Sequence, residues 1–246
     1  MIPKALLVNT PERDALWRVV ENQEQAATRR ITQSAEEQSR LEELLDGNKP
    51  AYMPGTRHLH WLLKTPFRYP PLRHGSRFGS AQQPGILYGS RERHTALTES
   101  AVYLWLFRSG PVELGPLNRI TDSRTALQFK VAHPRGSNLT HTRADRWRDK
   151  LSDPASYRFS QAVGQALREL ESGAIWFWSA RAEDGINCAV IDPQAVSRNT
   201  EPTQEHWQLH LDAGNCWWGR PGSESFEVSY ASVSDSNGRI PHPGLA

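Results

Sequence analysis

Between residues 10 and 46 the apolar positions fall at helical spacing. Thr10-Pro11-Glu12 has the form of a helix start, with threonine as cap and proline in the first turn. Leu16, Val20, Ala27 and Ile31 follow on one stripe. Ser34-x-x-Glu37 is a capping-box pattern that opens a second helix, carrying Leu41, Leu44 and Leu45 and stopping near Gly47. The stripe is too narrow to fold alone. The pattern therefore predicts one or two amphipathic helices over 11–46, an appendage within residues 1–50 that docks on the main domain or on a partner chain.

From residue 52 the texture changes to aromatic and β-branched residues among Pro and Gly. Residues 60–65 and 85–90 read as strands, and 67–79 as an arginine-dense loop. Thr95 to Arg108 reads as a helix with Leu97, Ala101, Leu104 and Trp105 on one face. Residues 125–131 alternate like a half-buried strand, and 143–151 and 160–170 are helical. An aromatic strand at 173–178 turns at Glu183-Asp184-Gly185 into a return strand at 187–191. Further strands are expected at 206–211 and 225–232. Strands and helices mix without regular βαβ alternation, which points to an α+β fold. Residues 51–246 are expected to form the main domain.

Composition narrows the class. The chain has 246 residues, long enough for one large domain or a domain plus an appendage. Its mean hydropathy is −0.64 and no apolar run approaches the roughly 20 residues of a membrane span. The first residues lack the form of a signal peptide. Cys188 and Cys216 make neither a disulfide framework nor a Cys-x-x-Cys site. A cytoplasmic protein is expected. The net charge is only +2, which gives little support to a dedicated nucleic-acid binder. Among the basic residues the skew is strong, with 24 Arg against 5 Lys. Composition bias accounts for most of these, but arginine's planar fork also suits phosphate and carboxylate.

Several motifs are absent: the dinucleotide-binding Gly-x-Gly-x-x-Gly, the phosphate-binding Gly-Lys-Ser/Thr loop, Gly-x-Ser-x-Gly and His-Glu-x-x-His. His58-x-His60 and His206-x-x-x-His210 have no third ligand at motif spacing, so no metal site is expected. Arg143, Arg146, Arg148 and Lys150 run beside Trp147; a solvated helix face is the favoured reading and an RNA-binding surface the minor one.

The informative stretches are 57–105 and 173–193. Arg77 stands in the glycine-bounded loop, Tyr88 ends a strand and Glu99 lies on the next helix, at equal spacings of 11 residues. Ser179 and Arg181 sit at the end of the aromatic strand. Singly, Tyr88 reads as core, Glu99 as helix surface and Ser179 as a turn residue. Together they could cleave an N-glycosidic bond in a dinucleotide. Arginine neutralises a pyrophosphate, tyrosine offers a flat face to a cationic ring, and a carboxylate stabilises an oxocarbenium-like ribosyl centre. Serine can hold the amide or the ribose.

The blocks Phe67-Arg-Tyr-Pro-Pro-Leu-Arg-His-Gly-Ser-Arg-Phe-Gly, Leu87-Tyr-Gly-Ser, Thr95-Ala-Leu-Thr-Glu and Trp178-Ser-Ala-Arg, with Gly185-Ile-Asn187 and Asp192-Pro193, resemble the RES domain family over about residues 52–200. The resemblance implies a split β-sheet of the ADP-ribosyltransferase-toxin type with flanking helices. It implies the toxin of a RES–Xre toxin–antitoxin pair, with an Xre-type helix-turn-helix antitoxin as partner. NAD is then a substrate and no cofactor is needed. Hydrolysis or phosphorolysis of NAD and mono-ADP-ribosylation of a protein both remain open, as does a homo-oligomer. By the same resemblance Glu99, Arg77 and Ser179 are catalytic and Tyr88 binds NAD. An earlier family arginine on the first strand maps to Arg68 or Arg57, with Arg68 preferred for its Phe-Arg-Tyr-Pro-Pro context. The family's Gly-Gly-Arg-Phe/Trp-Asn reads Gly75-Ser-Arg-Phe-Gly79 here, so the asparagine is missing.

Overall fold

The computed structural model describes residues 2–21, 31–111, 113–198 and 201–245. Its frame is an eight-stranded mixed sheet split into two halves. The longest strand, β3 (Ile120–Asn138), belongs to both halves. Ile120 to Gln128 pair antiparallel with β6 (Thr203–Leu211), and Arg124 to Gly136 pair antiparallel with β1 (Thr10–Glu21). At its far end, Gly136 to Asn138 pair in parallel with the start of β4 (Ala174–Trp178). β5 (Ile186–Val190) then joins β4 to β2 (Leu87–Ser90), both antiparallel. β2 returns to β1 through the pair Trp17↔Ser90. On the other side β7 (Asn215–Gly219) and β8 (Ser225–Ser229) extend the sheet beyond β6.

Five α-helices are described: α1 (Ala35–Gly47), α2 (Trp61–Arg68), α3 (Arg93–Arg108), the short α4 (Arg148–Leu151) and α5 (Arg158–Glu169). α2 packs Leu63 and Phe67 against Leu16, Leu87 and Trp176. α3 packs Leu97, Ala101 and Trp105 against Trp207, Leu209 and Trp218. α5 packs Val163 and Leu167 against Ile175 and Phe177. β4 thus buries side chains on both faces, which is why it reads as an uninterrupted apolar run. The α+β class and the split sheet agree with the sequence expectation.

Of the one or two helices expected over 11–46, the first is contradicted at its start by a strand, and residues 22–30 lie outside the described residues. Residues 10–21 form β1, in the middle of the fold, with Leu16 fully buried opposite Phe129. The spacing of Leu16 and Val20 fits either element, and Trp17, Val19 and Val20 favour a pleated surface. Pro11 marks a register irregularity between Thr10 and Glu12, where a missing N–H is tolerated. The sheet therefore crosses the expected division at residue 50. Ala27 lies outside the described residues, and Ile31 is exposed. The second helix does form: the Glu37 N–H donates to Ser34 Oγ at 3.1 Å, and Glu37 Oε2 accepts from the Gln33 N–H at 2.7 Å. Its Leu44 and Leu45 are exposed rather than docked on the sheet.

Residues 60–65, expected as a strand, lie in α2. His60 Nδ1 accepts from the Leu62 N–H at 3.4 Å and starts the helix. The adjacent Leu62 and Leu63 are both buried, which a half-exposed strand cannot do. β7 was absent from the expectation, although Cys216 and Trp218 face inward while Asn215 and Trp217 face out.

Candidate active site

α3 is tied at its first turn to the start of β5. Glu92 Oε2 accepts from the Ile186 N–H at 3.1 Å, and the Arg91 N–H donates to the Ile186 carbonyl at 2.8 Å. This sets Glu99, two turns further along, over the ends of β2, β4 and β5. Ser179 follows β4 directly. Its N–H donates to the Gly185 carbonyl at 2.7 Å and closes the turn. Its Oγ accepts from the N–H groups of Arg181 and Ala182 at 3.0 and 3.1 Å and donates to Glu99 Oε1 at 2.7 Å. Asn187 Nδ2 donates to the same Oε1 at 2.7 Å, and Ser90 Oγ donates to Asn187 Oδ1 at 2.7 Å. Both donors land on one carboxylate oxygen, so the carboxylate plane is fixed while Oε2 carries neither bond. With its proton on Glu99 and two N–H groups on its oxygen, Ser179 orients the carboxylate and is not poised as a nucleophile.

Arg77 is almost fully buried. Its Nη1 donates to the carbonyls of Leu151 and Asp153 at 3.0 and 2.9 Å, and the guanidinium lies 4.8 Å from the centre of the Tyr157 ring. The loop carrying it turns at Gly75, where φ is +74° and an added Cβ would stand 2.4 Å from the Gly79 carbonyl oxygen; only glycine fits. The Tyr88 hydroxyl braces this loop, donating to Ser76 Oγ at 3.1 Å and accepting from the Phe78 N–H at 3.2 Å. Burial pushes the Tyr88 phenol up, and the bond to Ser76 acts against it. The Tyr88 ring meets Phe177 edge-on.

Four of the six expected site residues thus gather around the ends of β2, β4 and β5: Glu99, Arg77, Ser179 and Tyr88. Arg68 and Arg57 do not join them. The Arg68 guanidinium lies over the Tyr52 ring at 4.3 Å and donates to the carbonyls of Lys49 and Pro50, and Arg57 is exposed. The arginine that the first strand brings next to Tyr88 is Arg18, on β1. Its Nη1 donates to the Tyr88 carbonyl at 3.0 Å, and its buried Nε has no hydrogen-bond partner among the described residues. Burial lowers its pKa to about 10, with Tyr103 acting in the opposite sense. Reading residues 11–31 as a helix concealed it. The aromatic and β-branched run Leu16-Trp17-Arg18-Val19-Val20 was the signal that could have found it.

Three further side chains stand near these residues. Tyr103 lies one helical turn after Glu99 on the same face of α3 and is 58% exposed. Loss of water around its hydroxyl, then the neighbouring Tyr157 and Glu99, raise its pKa. Arg181 donates through Nη2 to the Pro241 carbonyl at 2.6 Å; burial lowers its pKa, and the nearby Glu99 charge opposes this. His242 stands among His74, Tyr103 and Tyr157. Its pKa is lowered to about 4 by burial first, then by His74, Arg181 and Arg77. The basic run at 143–150 does not present a free row: Arg146 lies over Trp147, and Arg148 lies over Trp178 and pairs with Asp184 at 3.0 Å.

A carboxylate held by Ser179 and Asn187 thus lies near Arg181 and Tyr103, over the strand ends of the mixed sheet. The family model described as the RES domain matches residues 52–212, and the chain belongs to that family. β1 and Arg18 precede the matched stretch. Among solved structures, the crystal structure of the M. tuberculosis MbcT–MbcA toxin–antitoxin complex is similar at 12% identity and a TM-score of 0.47, with 83% of this chain and 87% of that chain covered. No curated protein matches the chain. No helix among the described residues is long and apolar enough to cross a membrane.

Proposed function

We propose that this protein is the toxin of a toxin–antitoxin pair and that it cleaves the nicotinamide–ribose bond of NAD in the cytoplasm. The observation that carries the reading is the Glu99 carboxylate, held through Oε1 by Ser179 and Asn187 with Oε2 free of both, near Arg181. In the reaction the bond from the ribose C1′ to the pyridine nitrogen breaks, and its electron pair leaves with nicotinamide, which becomes neutral. Positive charge develops on the ribosyl centre. A preorganised carboxylate stabilises that charge without reorganising, which is worth more in a cleft than in water.

Arg77, Arg181 and Arg18 supply the positive charge that a pyrophosphate requires. Tyr103 presents an open ring to the substrate, while Tyr88 shapes the Arg77 loop. The ribosyl carbon then takes an oxygen from water or phosphate, and a proton passes to solvent. Membership of the RES family supports the toxin role, and an Xre-type antitoxin is the partner that the family resemblance leads us to expect.

Mono-ADP-ribosylation of a cellular protein is the alternative outcome of the same bond cleavage. The test is incubation of the purified chain with NAD in water, in phosphate buffer and with cell extract, with products followed by mass. Free nicotinamide with ADP-ribose or its 1″-phosphate supports depletion; label confined to one protein supports transfer; intact NAD in all three contradicts the reading.

A further inference from the structure

The segment 240–245 lies outside the family match, yet it reaches the site. Ile240 is buried in the core against α3 and anchors it. The next residue places its carbonyl on Arg181 at 2.6 Å, and the His242 ring then meets three others edge-on. These are His74 at 5.2 Å, Tyr157 at 5.9 Å and Tyr103 at 5.9 Å, centre to centre. The three rings come from three separate parts of the chain: the loop that leads to Arg77, the loop before α5 and α3 itself. Tyr157 is the ring over which the Arg77 guanidinium lies, and Tyr103 shares its helix face with Glu99.

We propose that residues 240–245 are part of the substrate site, with His242 a positioning residue that pins these three parts together and the Pro241 carbonyl aiming Arg181 into the cleft. The inference deepens the proposed function, on which its substrate class rests: a dinucleotide whose pyrophosphate meets Arg77 and Arg181. His242 is suited to the task because its ring meets all three of these rings edge-on and its Nε2 stands 3.4 Å from the Tyr157 hydroxyl. The segment acts on binding through the arginines and leaves the carboxylate, held by Ser179 and Asn187, as it is.

The test uses the full chain, His242→Phe, His242→Ala and a chain ending at Ile240, which keeps the buried anchor. His242→Phe retains a flat ring but loses the 3.4 Å bond between Nε2 and the Tyr157 hydroxyl, and should raise the KM for NAD clearly less than His242→Ala does. His242→Ala and the shortened chain should raise KM by about tenfold with little change in kcat, the pattern of lost positioning for binding. Amide hydrogen exchange is followed in parallel. It should quicken over 72–77 and 152–157 in His242→Ala and the shortened chain, and stay unchanged in β6 to β8, which a general loss of stability would not leave protected. Unchanged exchange in those two loops overturns the proposal, and so does higher activity in the shortened chain, which would make the segment a cover. If the full chain leaves NAD intact, the functional reading fails by itself, and the exchange measurement alone decides whether the segment holds the site together.

Discussion

Ser179 gives its single hydroxyl proton to Glu99, at 2.7 Å from Oγ to Oε1, while its own oxygen is held by the N–H groups of Arg181 and Ala182. The serine thus links the turn after β4 to the carboxylate on α3. Replacing it with alanine leaves two N–H groups without their acceptor in a site where Ser179 is 8% exposed, a cost of about 1–3 kcal/mol. Ser179→Ala should lower both the melting temperature and the rate of NAD cleavage, the rate by up to about 10²-fold through misplacement of the carboxylate. Ser179→Thr, which keeps the hydroxyl, should retain more of both. Calorimetry and nicotinamide release measure the two effects; full activity in the alanine variant would show that Glu99 does not need this partner.

The arginines separate by position. Arg18 has a buried Nε without a hydrogen-bond partner among the described residues, and its Nη1 bonds the Tyr88 carbonyl, whereas Arg68 is taken up by backbone carbonyls and the Tyr52 ring. Arg18→Ala should weaken binding of a non-cleavable NAD analogue by about 10- to 10²-fold, the loss expected of a charge-assisted contact. Arg68→Ala and Arg57→Ala should leave it unchanged. Isothermal titration makes the comparison, and a reversed order would move the first-strand role away from β1.

β1 pairs with β3 along nearly its whole length and buries Leu16. A chain lacking residues 2–21 should lose its cooperative melting transition, because β3 would be left with an open edge and Phe129 and Leu87 with a missing partner. Leu44→Ser and Leu45→Ser on α1, 50% and 47% exposed, should shift the melting temperature little. Thermal circular dichroism distinguishes the two regions.

His242 gives the fold a pH dependence. Its pKa is lowered from 6.5 to about 4 in the folded chain, among His74, Tyr103, Tyr157, Arg77 and Arg181. The unfolded chain holds this proton more tightly, so the contribution is complete above about pH 6.5 and is lost as the pH falls towards 4. The fall in melting temperature between pH 7 and pH 4.5 should therefore be smaller in His242→Phe than in the parent. An equal fall in both would remove His242 from the pH response.

Much of the site was legible because it lies in short blocks whose local structure is strongly specified. Residues 85–90, α3, β4 and β5 all read correctly, since uninterrupted apolar runs and a clean helical face leave little choice. Glu99 and Tyr88 ride on those blocks and Ser179 directly follows β4, whereas Arg77 stands in the glycine-bounded loop. β1 was not legible from apolar spacing, because Leu16 and Val20 stand four apart and that interval suits a helix as well as a strand; Arg18 was lost with it. α2 failed for the opposite reason: a short apolar run beside a proline does not declare its period. Tyr103 was within reach, one turn from Glu99 on a helix already identified. Tyr157, His242 and the support of Asn187 by Ser90 depend on packing between distant parts of the chain, which no local pattern encodes.

We propose that Glu99 stabilises a ribosyl cation formed from NAD. Glu99→Gln keeps an oxygen to accept from Ser179 and Asn187 and removes only the charge. The measurement is release of free nicotinamide from NAD by the folded parent and by this variant, side by side. Release by the parent is expected, with a fall of about 10²–10³-fold in the variant at unchanged melting temperature. A parent that leaves NAD intact, or a Glu99→Gln protein that works at the parent's rate, would contradict it.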